Sequence, residues 1–158
     1  NGENSSAQFV GFNLSSSSKG IHCEFSSPQI KYNYINASSY GIRCDSLSAP
    51  IIANNIFENA NRSIQISGNS APRIYENKFQ LPDDPDKCGI FVGQGSPIIE
   101  NNFIVGENSV FSCGIEVAWD SYNVSIIGNN ISEVYYGIEI HGDTSCDIIN
   151  NLIFNCSK

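Results

Sequence analysis

The chain has 158 residues, 15% of them charged, with 8 Lys plus Arg against 16 Asp plus Glu and a net charge of -8. That length carries one domain with a substantial core, and the acidic balance makes nucleic acid and anionic membranes poor partners. No apolar run approaches the roughly 18 residues of a membrane span, and no signal-peptide pattern is present, so no membrane insertion is expected and any export signal has been removed.

In chain order, residues 1–19 (NGENSSAQFVGFNLSSSSK) are rich in Ser and Asn. Val10 and Asn13 suggest a degenerate first unit or cap, with Ser15 where an apolar residue belongs; terminal repeats are commonly atypical. From residue 20 onward an asparagine returns at a fixed place: Asn33, Asn55, Asn77, Asn102, Asn129 and Asn151, at spacings of 22, 22, 25, 27 and 22 residues. Three before it stand Ile30, Ile52, Ile74, Ile99, Ile126 and Ile148; two after it stand Ile35, Phe57, Phe79, Ile104, Ile131 and Ile153. A third column, Ile21, Ile42, Ile64, Ile90, Ile115 and Ile138, follows Gly in every unit except at Ser63. Two residues beyond it lie Cys23, Cys44, Ile66, Val92, Val117 and Ile140. Within each segment apolar residues alternate with others, the period-2 pattern of strands with one buried face, and no stretch keeps a helical period.

A unit of about 22 residues with two or three short strands cannot bury its apolar side alone, whereas stacked copies share one continuous core. The expected fold is an all-β parallel β-helix of about six to seven coils. It forms a single domain over 1–158, with residues 1–19 as degenerate first coil or cap and 20–158 as six regular coils. The Asn column reads as an internal ladder at a bend, because Asn tolerates the left-handed backbone conformation and its amide can bond both stacked neighbours. Two insertions, 81–87 (LPDDPDK) and 105–112 (VGENSVFS), fall at the same point of adjacent coils and should sit side by side; a smaller expansion lies at 119–123.

The pattern G-I-x-[C/I/V], a Ser- or Gly-rich turn, then P-x-I-x-x-N-x-[I/F], resembles the right-handed parallel β-helix repeat family over about residues 20–158. That superfamily includes pectate-lyase-like polysaccharide enzymes, alginate epimerases, phage tailspikes, carbohydrate-binding-and-hydrolysis proteins and archaeal surface proteins. The resemblance implies a right-handed, single-stranded solenoid, in keeping with the general handedness of parallel crossovers. It also implies that any chemistry sits on the outward face of the G-I-x-x strand. Alternation places His22, Arg43, Gln65, Phe91, Glu116 and Glu139 there, followed by Glu24, Asp45, Ser67, Gly93, Ala118 and His141.

Glu116 and Glu139, one coil apart at about 5 Å, suit a retaining glycosidase pair, with His141, Asp120 and Asp143 nearby. Against an enzyme, no Arg or Lys is expected beside them, and the paired-Asp, Gly-His-Gly and Arg-x-Lys motifs of pectin hydrolases and the Asp-Pro-His motif of epimerases are missing. Asp83, Asp84 and Asp86 offer three carboxylates to Ca²⁺, but the two prolines and the short ligand count favour a solvated loop. No C-x-x-C or His pair offers zinc a site, so no metal or cofactor is expected.

Of the six cysteines, Cys23 with Cys44, Cys88 with Cys113 and Cys146 with Cys156 are the economical disulfide pairs, with buried thiols the alternative for the first. Seven N-x-[ST] sequons occur, at Asn4, Asn13, Asn36, Asn61, Asn123, Asn130 and Asn155. Asn36, Asn61, Asn123 and Asn155 fall in expected turns and are the glycosylation candidates.

Three functions follow from this reading. The first is an extracellular or cell-surface structural module of an envelope, sheath, surface layer or fibre. Such a module self-associates through the β-helix ends, because Lys158 comes seven residues after Asn151 without a visible cap. The absence of methionine is compatible with a processed or excised chain. The second is a polysaccharide-active enzyme using Glu116, Glu139 and His141. The third is a carbohydrate-binding or adhesion module using Phe91, Trp119, Tyr122, Tyr135 or Tyr136. A groove crossing several coils would favour the second and third.

Overall fold

The computed structural model describes residues 7–16, 18–107, 109–118 and 120–158. The first coil holds β1 (Gln8–Val10), β2 (Asn13–Ser16) and β3 (Lys19–Glu24), and the second β4 (Gln29–Lys31), β5 (Tyr34–Ala37) and β6 (Tyr40–Asp45). The third holds β7 (Ile51–Ala53), β8 (Ile56–Glu58) and β9 (Arg62–Ile66), and the fourth β10 (Arg73–Tyr75), β11 (Lys78–Gln80) and β12 (Cys88–Val92). The fifth holds β13 (Ile98–Glu100), β14 (Phe103–Val105) and β15 (Cys113–Val117), and the sixth β16 (Val124–Ile127), β17 (Asn130–Ser132) and β18 (Tyr136–Ile140). A seventh begins with β19 (Cys146–Ile149) and β20 (Leu152–Phe154). Every strand pairs in parallel with its counterparts one coil away. Sheet 1 therefore runs β1-β4-β7-β10-β13-β16-β19, sheet 2 runs β2-β5-β8-β11-β14-β17-β20, and sheet 3 runs β3-β6-β9-β12-β15-β18.

The apolar columns fill the interior. Ile30, Ile52, Ile74, Ile99 and Ile126 from sheet 1 meet Ile35, Phe57, Phe79, Ile104 and Ile131 from sheet 2 and Ile42, Ile64, Ile90 and Ile115 from sheet 3, all essentially inaccessible to solvent. Each such side chain contributes about 1.5–3 kcal/mol by leaving water. In-register stacking also sets Phe57 and Phe79 face to face, with ring centroids 4.8 Å apart and planes 5° from parallel.

The asparagine ladder is continuous. Asn33, Asn55, Asn77, Asn102 and Asn129 each donate from Nδ2 to Oδ1 of the next ladder Asn at 2.9–3.0 Å. Each backbone N–H donates to the same oxygen. The second Nδ2 hydrogen reaches the carbonyl of the residue in the Ile column of the preceding coil, as Asn55 does to Ile30 and Asn102 to Ile74. Isoleucine three residues before Asn is therefore a core residue whose carbonyl is also a ladder acceptor. The backbone reason for the bend differs from the expected one. The left-handed residue is not the ladder Asn but the one before it: Tyr32, Asn54, Glu76, Asn101, Gly128 and Asn150, with φ of 53–64°. The ladder Asn is selected for its side-chain amide and buried acceptor, not for its φ.

The glycine column is steric. A Cβ on Gly41 would lie 2.5 Å from the Ser63 carbonyl oxygen and 2.9 Å from the Phe57 ring, and one on Gly114 would lie 2.6 Å from both the Gly137 oxygen and Ile131. Ser63, the exception, is buried with a hydroxyl that has no hydrogen-bond partner.

The first coil is built one residue out of the expected register. Phe9 pairs with Ile30 and Leu14 with Ile35, so the ladder position falls on Phe12 and not Asn13, and Leu14, not Ser15, takes the core position. Phe12 joins the ladder only through its backbone N–H, which donates to Asn33 Oδ1 at 2.9 Å. At the other end the last coil leaves Ile148 and Ile153 exposed, although their columns are buried in the coils before it, and Ile149, Leu152 and Phe154 are exposed beside them.

All six cysteines are free thiols, so the expected bridges are not formed. Cys23 pairs with Cys44 and Cys88 with Cys113 in register. Side chains on adjacent in-register parallel strands point the same way, which keeps their Cβ atoms near the strand spacing of about 4.8 Å rather than the roughly 3.8 Å of a disulfide. Interaction with Cys88, then burial, pushes the Cys113 thiol far above its ordinary range. Cys146 and Cys156 pack against the core edge, and Cys156 Sγ lies 3.4 Å from the Phe154 carbonyl oxygen.

Candidate functional site

Sheet 3 has the longest strands, and its register aligns the side chains as one column: His22 beside Arg43, Arg43 beside Gln65, Gln65 beside Phe91, Phe91 beside Glu116 and Glu116 beside Glu139. Glu116 and Glu139 are thus brought together across β15 and β18. His141 follows Glu139 by two residues, the period at which side chains return to the same face. Its Nε2 lies 3.6 Å from Glu116 Oε1 and 3.6 Å from Glu139 Oε2. One donor atom from each of the three residues lies within 4.8 Å of the others. Burial pushes the Glu116 carboxyl up, and the charge of Glu139 adds to this against the opposing pull of Arg62 and His141.

A hollow of about 360 Å³ opens over this triad, lined by Arg62, Asp86, Lys87, Cys88, Phe111, Cys113, Glu116, Tyr136, Glu139 and His141. A second, of about 290 Å³, is lined by Ser39, Tyr40, Asn61, Arg62 and Asp86. The two share Arg62 and Asp86, so together they make a groove along one edge of sheet 3 from β6 to β18. Four strand intervals of about 4.8 Å give it a length of about 19 Å. The insertions build its wall as expected from their common position. Asp86 and Lys87 come from the first and Phe111 from the second, with Phe111 against Tyr135 at 5.5 Å and Tyr135 edge-on to Tyr136 at 4.7 Å.

Arg62 and Lys87 overturn the expectation that no basic residue stands beside the glutamates. Arg62 is two coils from Glu116 in the column Lys19, Tyr40, Arg62, Cys88, Cys113 and Tyr136, just before the glycine position. The small thiols at Cys88 and Cys113 leave that column low between Arg62 and Tyr136. The Arg62 guanidinium lies over Phe91, 3.7 Å from the ring centroid. Aligning the residues before each Gly would have revealed this column, whose members are chemically unlike and carry no repeat signal.

Other expected residues lie elsewhere. Asp120 and Asp143 do not line the hollow. Asp83, Asp84 and Asp86 are exposed, and Asp84 pairs with Lys87 at 2.6 Å; among the described residues they do not converge as a donor set. Asn61, Asn123 and Asn155 occupy exposed bends, whereas Asn36 lies inside β5, half-buried and bonded by Asn59. Asn61 is also held by Lys87 Nζ at 2.6 Å. Tyr122 is exposed at the opposite edge of sheet 3, before β16. Asn4 and Trp119 lie outside the described residues.

At the N-terminal end of the same face, Asp45 accepts from the Arg43 guanidinium, the Ser67 hydroxyl and His22 Nε2, the last at 3.2 Å. Burial pushes the Asp45 carboxyl up, but the bonds from Ser67, Arg43 and His22 and the charge of Arg43 outweigh it and hold it below its usual range.

No curated protein sequence matches the chain. Among solved structures, the surface protein and adhesin PfbA of Streptococcus pneumoniae is similar in fold, with a TM-score of 0.52 at 16% identity. The match covers 97% of this chain and 51% of that one, so the chain spans about half the length of its structural neighbour. The model described as "Right handed beta helix region" matches residues 19–158. With three parallel sheets, a shared core and that match over most of its length, the chain belongs to the right-handed β-helix family.

Proposed function

We propose that the chain is a cell-surface glycan-binding or adhesion module whose binding surface is the groove along sheet 3. The observation that carries this reading is the groove itself, which crosses five successive strands and alternates ring faces with hydrogen-bonding groups. Tyr40, Tyr136 and Phe111 supply apolar faces of the kind that pack on sugar rings, and Arg62, Asp86, Glu116 and Glu139 supply directional polar contacts. Three carboxylates in the groove and the chain's charge of -8 disfavour an acidic polymer, so the ligand is a neutral glycan. The pneumococcal adhesin of similar fold supports only the architecture at 16% identity.

The test is affinity electrophoresis of the whole chain through gels holding neutral polysaccharides. Retardation by at least one of them is expected, weakened about tenfold in Tyr136→Ala and in Arg62→Ala, the loss of about 1.4 kcal/mol of contact. Free migration through every gel would overturn the reading. Release of new reducing ends, abolished in Glu116→Gln, would replace it with a glycosidase in which Glu116 is the acid and Glu139 the nucleophile.

Self-association through the ends is the second reading, supported by the exposed apolar rows of the last coil. It ranks lower because a second copy stacked there would set Phe12 in register with Asn151, offering no Oδ1 to continue the ladder. Light scattering across a concentration series decides it: a constant monomer mass removes this reading.

A further inference from the structure

We propose that Glu116, Glu139 and His141 form a binding site for one divalent transition-metal cation of the zinc class. Two carboxylates come from neighbouring strands and the imidazole from the residue that follows β18. The fold converges the three donors without any loop rearrangement. In-register pairing places Glu116 beside Glu139, and the two-residue period of a strand places Glu139 and His141 on one side.

The spacing fits co-ligation. Two donors each about 2.1 Å from an ion at the tetrahedral angle lie about 3.4 Å apart. Both carboxylate oxygens lie 3.6 Å from His141 Nε2 here, longer than a direct hydrogen bond between these atoms. One donor from each residue falls within 4.8 Å of the rest, so a shift of about 1 Å at most brings the set onto a common ion. All three side chains are only 25–30% exposed, which limits their rotamers while keeping a path to solvent. Three protein ligands leave a tetrahedral ion one open position, and that position faces the 360 Å³ hollow.

Charge and softness select the ion. Two ionised carboxylates and a neutral imidazole carry a formal charge of −2, matched by a divalent cation. The imidazole favours zinc, cobalt or nickel over calcium and magnesium, which take oxygen ligands in larger number. The opposing charges are Arg62, packed over Phe91 on the neighbouring strand, and Lys87 on the loop, itself paired with Asp84. They weaken the site without occupying it. The thiols of Cys88 and Cys113 line the same hollow but fall outside the donor set.

The site stands independently of glycan binding, because the ion alone is the probe. The whole chain, stripped with chelator, is titrated calorimetrically with zinc chloride and separately with calcium chloride. One zinc per chain is expected, weakened about tenfold or more in each of Glu116→Gln, Glu139→Gln and His141→Gln, with Glu58→Gln binding as wild type. Calcium should bind at least about a hundredfold more weakly. Cobalt on the wild-type chain should give visible absorption bands that His141→Gln removes. Circular dichroism and urea midpoints establish that each variant is folded. Absence of saturable zinc binding up to about 1 mM, or binding equal in all three variants, as thiol capture would give, overturns the proposal.

Discussion

The two halves of sheet 3 use the same register and similar residues to opposite effect. Around β3, β6 and β9, one carboxylate, Asp45, is surrounded by the donors His22, Arg43 and Ser67, and its charge is satisfied within the protein. Around β15 and β18, two carboxylates share one imidazole and face an open hollow. The Asp45 carboxyl is held below its ordinary range and that of Glu116 is pushed above it. The lesson is that a β-helix imposes proximity but not compatibility. The register stacks whatever side chains successive coils supply, so one half closes over a single carboxylate and the other turns two carboxylates and an imidazole toward an open hollow.

The largest effect separates this contrast from the scaffold beneath it. Asn77→Ala breaks the ladder between the two halves, taking the acceptor from the Asn55 backbone N–H and from one Asn55 Nδ2 hydrogen, and the side-chain donor from the Ile52 carbonyl. It should cost about 1–3 kcal/mol in urea unfolding while leaving the titration of both clusters unchanged. An unchanged urea midpoint would mean the ladder carries no stability.

Asp45→Asn breaks the N-terminal cluster and should cost about 1 kcal/mol at pH 7. Because the folded Asp45 carboxyl is held low, its contribution is full above the unfolded aspartate value of about 3.9 and is lost as pH falls below that, through the lower folded value. Wild type and variant should therefore converge in stability under acid. A constant gap from pH 7 down to pH 2 would contradict the assignment, both values being about the ends of that window.

Ser63→Ala removes an unpartnered buried hydroxyl from β9 and should stabilise by about 0.5–1 kcal/mol in the same assay. A loss of stability would mean the hydroxyl has a partner in solution.

The smallest effect has the opposite pH sign to Asp45. In chelator-treated protein the raised Glu116 carboxyl favours folding fully below the unfolded glutamate value of about 4.3, and this advantage is lost as pH rises through the folded value. Glu116→Gln should thus gain about 0.5 kcal/mol or less at pH 7, the exposed part of the carboxyl being screened. A loss would show that Arg62 outweighs burial and Glu139.

Much of the fold was legible in one dimension because a solenoid repeats its contacts at a fixed sequence interval. Asn, Ile and Gly recurring at constant offsets prescribed three parallel sheets, the ladder, the core columns and the shared edge of both insertions. Glu116, Glu139 and His141 were visible for the same reason, as neighbours in register and by strand period. What the repeat leaves open, the tertiary structure decided. The left-handed residue precedes the ladder Asn, because the bend is set by the backbone path and not by the residue with the most permissive φ. The first coil slid by one residue, which sets Leu14 against the core at the place where the expected register would have put Ser15. The thiols remained free because parallel side chains hold their Cβ atoms apart. Arg62 shares a hollow with Glu116 two coils away because its guanidinium extends over Phe91 and past the small Cys88, a matter of side-chain volume on a column with no recurring residue type. The sequence by itself determined which positions stack; only the packed solenoid decided which of the stacked groups satisfy one another and which leave a groove open.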